Sequence, residues 1–368
     1  MFKLQLLYTG GTIGGDFEET KDIPVNIVEK AFRETLIKKW PSFNDYLRER
    51  NIELSFDAKI HKFSENITPS DWPEIAKAVY NAIKNGADSV IILHGTDTMS
   101  YTSSVLSFML QGINVPVILT GSNIPLNDEG TDAVTNIRDS FEVAQDRRFA
   151  GVFLVFSGIP NNPSDIHLGC RARKVRFNGN SFQSINSIKI GIVKRISFSS
   201  LFSNDALIDI VNEKLFSNVT AQNRKKDLVL LDSLEDKVSF FKVYPGFDPG
   251  QIRYAIDNGS KGIILELYNE GTGCVGVDCS LLDAFRNNDK KQIPVFVTSQ
   301  HEGDVVMMNY KSSKRLRAAG IIPLRDMITE AAIPKLMWAL KQNGNREAVV
   351  CRMLTPVAGE IDSNDEQG

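Results

Sequence analysis

Two short apolar segments of this chain each end in a turn that carries a threonine. Phe2 to Leu7 leads into Tyr8-Thr9-Gly10-Gly11-Thr12-Ile13-Gly14-Gly15, and Val90 to Leu93 leads into His94-Gly95-Thr96-Asp97-Thr98. Short apolar runs followed by glycine and small polar residues are typical of buried strands in a parallel sheet. An open α/β sheet binds its ligands at the carboxyl ends of its strands. The sequence therefore predicts that both turns lie at one functional edge of such a sheet.

The alternation of strands and helices extends over most of the chain. In the first half, we predict strands at 3–8, 89–93, 116–119, 152–156 and 189–193, and helices at 69–84, 98–111 and 131–145. In the second half, we predict strands at 238–243, 262–267 and 293–297, and helices at 249–258, 280–288 and 329–343. This pattern predicts an α/β fold with two α/β domains, the larger N-terminal one built on a parallel-type sheet.

The length of 368 residues also suits two domains. The alternation weakens after about residue 196 and resumes near residue 236. We predict an N-terminal domain over 1–200, an inter-domain connection over 201–235 that can hold strands of its own, and a smaller C-terminal domain over 236–358. The acidic, polar segment 359–368 is predicted to be a disordered tail.

Composition excludes several classes of protein. A net charge of -3 argues against a nucleic-acid surface, and no apolar run reaches the roughly 18 residues of a membrane span. The N-terminus lacks the pattern of a secretory signal, so we expect a cytoplasmic protein with no membrane and no nucleic-acid partner. We expect its four cysteines to be reduced thiols. Cys274 and Cys279 lack zinc-site spacing, so we expect no metal.

The first turn favours catalysis or simple loop capping over nucleotide binding. Its glycines let the backbone turn sharply and let a ligand approach the amides. Thr12 can then be a nucleophile, or it can cap the loop. The lysine of a phosphate loop and the Gly-x-Gly-x-x-Gly spacing are both absent.

Two further segments carry polar residues with two interpretations each. Asp97, at a strand-to-helix junction, is most simply a helix N-cap, and otherwise an anionic partner for an ammonium group. His94 is predicted to pack at the strand end rather than to act as a general base. In Arg171-Ala172-Arg173-Lys174-Val175-Arg176, the basic residues form a solvated face, or one lysine is desolvated and used as a base.

Taken together, these segments resemble the bacterial-type L-asparaginase/glutaminase family, and within it the cytosolic type I branch. The resemblance covers most of the chain and rests on the motifs at 9–14, 94–99, 120–125, 171–174, 244–246, 298–300 and 326–332. It implies a C-terminal domain of flavodoxin-like type and a homotetramer built as a dimer of dimers. It also implies a small-molecule amide substrate, L-asparagine, and no cofactor.

The resemblance further implies a double-displacement mechanism. Thr12 attacks the side-chain amide of asparagine, while Thr96, Lys174 and Asp97 form a second polar cluster that moves protons. Backbone amides near Thr12 and Thr96 stabilise the oxyanion. The implied substrate-binding residues are Ser64, Glu65, Gly11, Gly95, Asp97 and Thr272.

Three departures from the family pattern keep other functions open. Asp22 stands where the family has a loop tyrosine, Glu65 replaces an amide or hydroxyl residue, and 269–273 differs from the usual turn. One alternative is an amidase for glutamine, a D-isomer or a larger amide. Another is the asparaginase-like subunit of a tRNA-dependent amidotransferase, which we rank lower because that family carries an extra N-terminal domain. A third is a non-catalytic protein that binds amino acids.

Overall fold

The computed structural model describes residues 1–14, 25–58, 60–177, 180–195, 206–276, 280–285, 293–342 and 344–362. The chain divides into two units, Met1–Asp232 and Ser233–Gly368. The division falls within the predicted connection at 201–235. Residues 206–232 form regular elements of the first unit, because a strand, a helix and a second strand of this segment belong to it.

The first unit alternates strands with helices. Its strands are β1 Phe2–Tyr8, β2 Ile52–Ala58, β3 Ser89–Leu93, β4 Leu110–Gln111, β5 Pro116–Thr120, β6 Gly151–Phe156, β7 Ser164–Leu168, β8 Ala172–Phe177, β9 Asn180–Ser184, β10 Gly191–Arg195, β11 Ala206–Ile210 and β12 Val229–Leu230. Its helices are α1 Val25–Lys39, α2 Phe43–Glu49, α3 Trp72–Lys84, α4 Met99–Met109, α5 Ala133–Gln145 and α6 Glu213–Arg224. Ser64–Asn66 forms a short 3-10 helix.

Eight of these strands form one sheet in the order β11-β10-β7-β6-β5-β3-β1-β2. The strands from β6 to β2 in this order run parallel. The pairs β6–β7, β7–β10 and β10–β11 are antiparallel. Every residue of β3, β5 and β6 is buried, which is the pattern of parallel strands covered on both faces. The predicted large domain with a mostly parallel sheet is confirmed.

Helix α4 is buried although it is rich in serine. Ser104 and Ser107 donate their hydroxyl hydrogens to the carbonyl oxygens of Ser100 and Ser103, at 2.7 and 2.8 Å. Ser103 donates to Gly169 O at 2.6 Å. Buried hydroxyls are tolerated when they are hydrogen-bonded, so this helix can begin at the edge of the sheet and still enter the core.

The second unit contains a smaller parallel sheet, as predicted. Its strands β13 Val238–Lys242, β14 Gly262–Leu267, β15 Val295–Ser299 and β16 Ile322–Pro323 lie in sequential order and are all parallel. Its helices are α7 Gly250–Asp257, α8 Lys311–Ala318, α9 Thr329–Lys341 and α10 Arg346–Leu354, with a 3-10 helix at Leu281–Phe285. Apolar side chains of β14 and β15 form the centre of its core.

The disordered tail predicted from residue 359 begins too early. Lys335 and Glu360 form an ion pair in which both side chains are fully buried. Lys335 Nζ also donates to Met353 O and Thr355 O, and Glu360 accepts the N–H groups of Val357 and Ala358. A buried ion pair is stable only when its remaining hydrogen bonds are made, and here they fix the chain through Glu360. Residues 363–368 lie outside the described part.

Two further sequence expectations concern cysteines and membranes. Cys170 and Cys351 are not disulfide-bonded, but Cys274 is, so the prediction of reduced thiols throughout is wrong at Cys274. Spacing along the chain does not determine which sulfur atoms approach each other in the fold. Among the described helices, none is both long and apolar enough to span a bilayer.

Candidate active site

The two threonine turns lie side by side at the carboxyl edge of the large sheet. β1 and β3 are parallel neighbours, with Tyr8 opposite Leu93. Thr9 follows β1 and donates both its N–H and its hydroxyl to Leu93 O, at 3.0 and 2.9 Å. The first turn is therefore hydrogen-bonded directly to the end of β3, where the second turn begins.

Two glycines bring the backbones of these turns into contact. Gly11 has φ +92°, and a Cβ atom at this position would lie 2.3 Å from Gly95 N. A side chain at Gly11 would thus meet both backbone strain and a steric clash. Gly14 N–H donates to Gly11 O at 2.9 Å and closes a tight turn around Thr12, which is half-buried. Thr12 and Thr96 each follow one of the two touching glycines.

Lys174 forms a polar cluster with the second turn. It lies on β8, which pairs with β9 in a two-stranded sheet. Its Nζ donates to Thr96 Oγ1 at 2.7 Å and forms an ion pair with the Asp97 carboxylate. Since Thr96 Oγ1 accepts this bond, the threonine proton can be donated elsewhere. The Asp97 side chain is 58% exposed, so the cluster is open to a ligand.

Asp97 is not the N-cap of the following helix. The helix α4 begins at Met99, its N-cap residue is Thr98, and no side chain caps it. The Asp97 carboxylate pairs with Lys174, a residue far away in sequence, which local sequence patterns cannot reveal. Of the two interpretations of Asp97, the N-cap is therefore wrong.

Ser64 joins the same cluster from the loop after β2. Its buried Oγ accepts the N–H of Asp97 at 3.2 Å, and its carbonyl accepts the hydroxyl of Thr98 at 2.8 Å. A Cβ atom at Gly95 would lie 2.6 Å from Ser64 Oγ, so the glycine is needed for this approach. The adjacent Glu65 is exposed. Ser64, Gly95, Thr96, Asp97 and Lys174 thus form one contact network.

The site prediction also names one residue of the second unit. Thr272 belongs to the second unit, in a tight turn after β14 where its N–H donates to Tyr268 O at 2.9 Å. Asn269 and Gly271 of this turn have positive φ. Asp22, which replaces the family tyrosine, lies outside the described residues. The role predicted for Thr272 stays a prediction.

Sequence reasoning missed a buried carboxylate that supports a third loop at this edge, the loop after β5. Asp132 is fully buried and accepts the N–H groups of Asn123 and Ile124, at 2.9 and 3.0 Å, just after β5. Asn136 Nδ2 donates to Gly121 O at 2.9 Å. Burial raises the pKa of Asp132, against the effect of these hydrogen bonds. An isolated Asp-x-x-x-Asn spacing on a helix gives no signal of this role, because burial depends on the assembled sheet.

His94 is another polar residue buried at this edge. Its Nδ1 lies 2.7 Å from Gly95 O and its Nε2 lies 2.9 Å from Thr102 Oγ1, so it packs at the strand end as predicted. Within the described residues, no group of three or more His, Cys, Asp or Glu side chains is arranged to hold a metal ion.

The two buried histidines predict a loss of stability in acid. Burial lowers the pKa of His94 to about 4, and burial together with Lys189 lowers the pKa of His167 to about 4. An unfolded histidine has a pKa of about 6.5. Between pH 6.5 and 4 the unfolded chain therefore binds protons that the folded chain does not, and stability falls as the pH falls.

Each histidine is expected to contribute a slope of about 1.4 kcal/mol per pH unit in the middle of this window. Urea unfolding between pH 7 and pH 4.5 measures it. His167→Gln removes one of the two titrating groups. We therefore expect the slope of unfolding free energy against pH to fall by the contribution of one proton. The same slope in the variant and the natural chain would contradict the assignment.

Comparison with known protein families identifies both units. The family model described as "Asparaginase, N-terminal" matches residues 3–203, and the model described as "Glutaminase/Asparaginase C-terminal domain" matches residues 237–353. Together they cover most of the chain. The chain belongs to the asparaginase family. It therefore has the fold of the asparaginase-family amidohydrolases.

The relatives of this chain carry two different names: some are subunits of a glutamyl-tRNA(Gln) amidotransferase, and others are L-asparaginases. A glutamyl-tRNA(Gln) amidotransferase subunit from Methanosphaera stadtmanae is 33% identical over 99% of this chain and 78% of that protein. The protein of the same name from Sulfolobus acidocaldarius is 30% identical over 98% of this chain and 75% of its own length. Among solved structures, the thermostable L-asparaginase from Thermococcus kodakarensis is 29% identical, covers 99% of this chain and 100% of its own, and has a TM-score of 0.79. L-asparaginase I from Vibrio cholerae is 28% identical over 98% of this chain and 99% of its own, with a TM-score of 0.77.

Proposed function

We propose that this chain hydrolyses the side-chain amide of L-asparagine to L-aspartate and ammonia, with Thr12 as the nucleophile. The observation that carries the proposal is the contact of Lys174 Nζ with both Thr96 Oγ1 and the Asp97 carboxylate. Thr96 and Asp97 of this cluster lie on a loop whose backbone touches the Thr12 turn. A hydroxyl, an ammonium group and a carboxylate next to a second hydroxyl suit acyl transfer.

The proposed reaction has two steps. Thr12 Oγ attacks the amide carbon, a C–O bond forms, the C–N bond breaks, and the hydroxyl proton passes through the Thr96–Lys174 pair to the leaving nitrogen. Water then attacks the ester, its hydroxide becomes part of the product carboxyl group, and its other proton returns to Thr12. The backbone N–H groups of Gly11 and Gly95 or their neighbours supply the oxyanion contacts.

The same cluster suits an α-amino acid. Asp97 is exposed enough for its second carboxylate oxygen to bind an α-ammonium group. Ser64 Oγ accepts a backbone N–H, so its own proton can be donated to an α-carboxylate. Glu65, exposed beside Ser64, adds negative charge at this rim and enters the proposal as a determinant of selectivity.

A second candidate function is amide hydrolysis as a subunit of a tRNA-dependent amidotransferase. The observation in its favour is that the curated relatives bearing this name are 30% to 33% identical over nearly the whole chain. In this case glutamine or another amide is the ammonia source, and a different protein is the partner. The first candidate instead includes a homotetramer that works in the cytoplasm, with Thr272 of the second unit at a substrate site.

Ammonia release by the purified chain tests the proposal. We expect release from L-asparagine that exceeds release from L-glutamine, D-asparagine and larger amides at equal concentration. We expect light scattering, measured as the protein elutes from a size-exclusion column, to give the molar mass of four chains. Release from glutamine alone would favour the amidotransferase candidate. A thermal shift with asparagine but no ammonia from any amide would mean that the chain only binds amino acids.

A further inference from the structure

His94 lies in a chain of hydrogen bonds that leads to the loop of Thr96. Trp72 Nε1 donates to Thr102 Oγ1 at 3.0 Å, Thr102 Oγ1 lies 2.9 Å from His94 Nε2, and His94 Nδ1 lies 2.7 Å from Gly95 O. His94 is 1% exposed and Thr102 is fully buried. The three side chains come from α3, α4 and the end of β3.

The chemistry of the end groups fixes the direction of every bond. An indole N–H only donates and a backbone carbonyl only accepts. His94 Nδ1 must therefore carry the proton that is donated to Gly95 O. Burial lowers the pKa of His94 to about 4, so the ring is neutral near pH 7 and Nε2 is an acceptor. Thr102 consequently donates its hydroxyl hydrogen to Nε2 while it accepts from Trp72.

The carbonyl held in this way belongs to the peptide bond between Gly95 and Thr96. A glycine backbone has wide conformational freedom, so the plane of this peptide is set by its contacts rather than by Gly95 itself. That plane fixes the direction of the Thr96 N–H and the place of the Thr96 side chain. Thr96 Oγ1 must stay at 2.7 Å from Lys174 Nζ for a proton to pass between them.

We propose that His94 is a positioning residue, which holds the Gly95–Thr96 peptide in place through its Nδ1–H, in an orientation that Thr102 and Trp72 fix. The inference rests on the proposed function, because it assigns a purpose to the position of Thr96. It differs from a purely structural role of a buried histidine. A structural role depends on all of its bonds, whereas positioning depends on the bond from Nδ1.

A matched pair of variants separates the two ring nitrogens. The amide nitrogen of asparagine occupies the place of histidine Nδ1, and the amide of glutamine reaches the place of Nε2. His94→Asn keeps the donor to Gly95 O, and His94→Gln keeps the partner of Thr102. We expect both to lower Tm by similar amounts, with kcat falling about tenfold or more in His94→Gln and less than about threefold in His94→Asn. KM is expected to change little in either.

An equal kcat in the two variants, or a kcat that simply follows Tm, would overturn the inference. A second readout does not depend on turnover. With threonine labelled by 15N, the Thr96 amide resonance, assigned by its loss in Thr96→Ser, is expected to move in His94→Gln and to stay in His94→Asn. If the natural chain releases no ammonia, the proposed function fails, and this resonance alone decides whether His94 positions the loop.

Thr102 offers a further check with a matched control. Thr102→Val removes the donor to Nε2, so the ring loses the bond that orients it toward Gly95 O, and Gly95 O alone favours the Nδ1–H tautomer. We expect kcat to fall as in His94→Gln, and Thr102→Ser to restore it. The control, Thr220→Val, loses a buried hydroxyl bond to Phe216 O in α6 and is expected to lower Tm but not kcat. A serine variant that fails to restore kcat, although it is as stable as the natural chain, would contradict orientation of the ring by Thr102.

Discussion

Ammonia release from asparagine is expected to fall by roughly 10⁴-fold or more when Thr12 is replaced by alanine, the scale of a lost nucleophile. Thr12 is half-buried, and its turn is held by the backbone bond from Gly14 N to Gly11 O. Truncation of its side chain therefore removes the attacking oxygen but leaves the turn intact. Tm and the circular dichroism spectrum are expected to stay close to those of the natural chain.

Thr12→Ser is the matched control, because it keeps a hydroxyl at the same place. It is expected to retain measurable turnover, and extract of the host without this protein, purified in parallel, gives the background. Turnover near that of the natural chain in Thr12→Ala would remove Thr12 as the nucleophile. Loss of turnover together with loss of the folded spectrum would show instead that the turn needs the threonine side chain.

Replacement of Lys174 by methionine is expected to lower kcat more than about a hundredfold, which is the scale of a lost proton-transfer partner. Methionine has a similar length but cannot donate to Thr96 Oγ1 or pair with Asp97. Lys174→Arg keeps the positive charge, but a guanidinium does not release a proton, since the pKa of arginine is above about 12. We therefore expect Lys174→Arg to be almost as inactive as Lys174→Met.

The chain offers a matched ion pair as the control. Lys194 on β10 pairs with Asp209 on β11 at 2.6 Å, with both side chains at least 41% exposed. Exposed pairs contribute about 0–1 kcal/mol to stability, so Lys194→Met is expected to change neither kcat nor Tm appreciably. An unchanged kcat in Lys174→Met would assign the proton transfer to another residue.

The loops of the candidate site differ in how far they could be predicted. The turns after β1 and β3 follow from local sequence, because apolar runs set the strands and parallel pairing brings their ends together. The contact between Lys174 and Thr96 does not, because β8 reaches this loop only through the fold of its hairpin. Spacing and composition left Lys174 equal to its arginine neighbours, and only the family resemblance selected it.

Elements with weak apolar patterns were missed for a related reason. β2 alternates half-buried and exposed residues over 52–55, and only Ala58 is buried, because the strand lies at the edge of the large sheet. β7 contains Asp165 and His167 among apolar residues. These polar residues interrupt the apolar pattern, so the strand was not predicted although most of it is buried. The predicted start of the tail at residue 359 was wrong because Glu360 is stabilised by Lys335, a distant partner on α9.

The sequence by itself determined the fold class, the two α/β units and the edge at which the threonine turns lie. These depend on the period and burial of apolar side chains, which are local properties of the chain. Only the tertiary structure decided which polar groups meet, as it did for Asp97 with Lys174, for His94 with Thr102 and for Asp132 with the loop after β5. A buried polar group is stable only with its partners in place, and distant segments supply those partners when the sheet assembles.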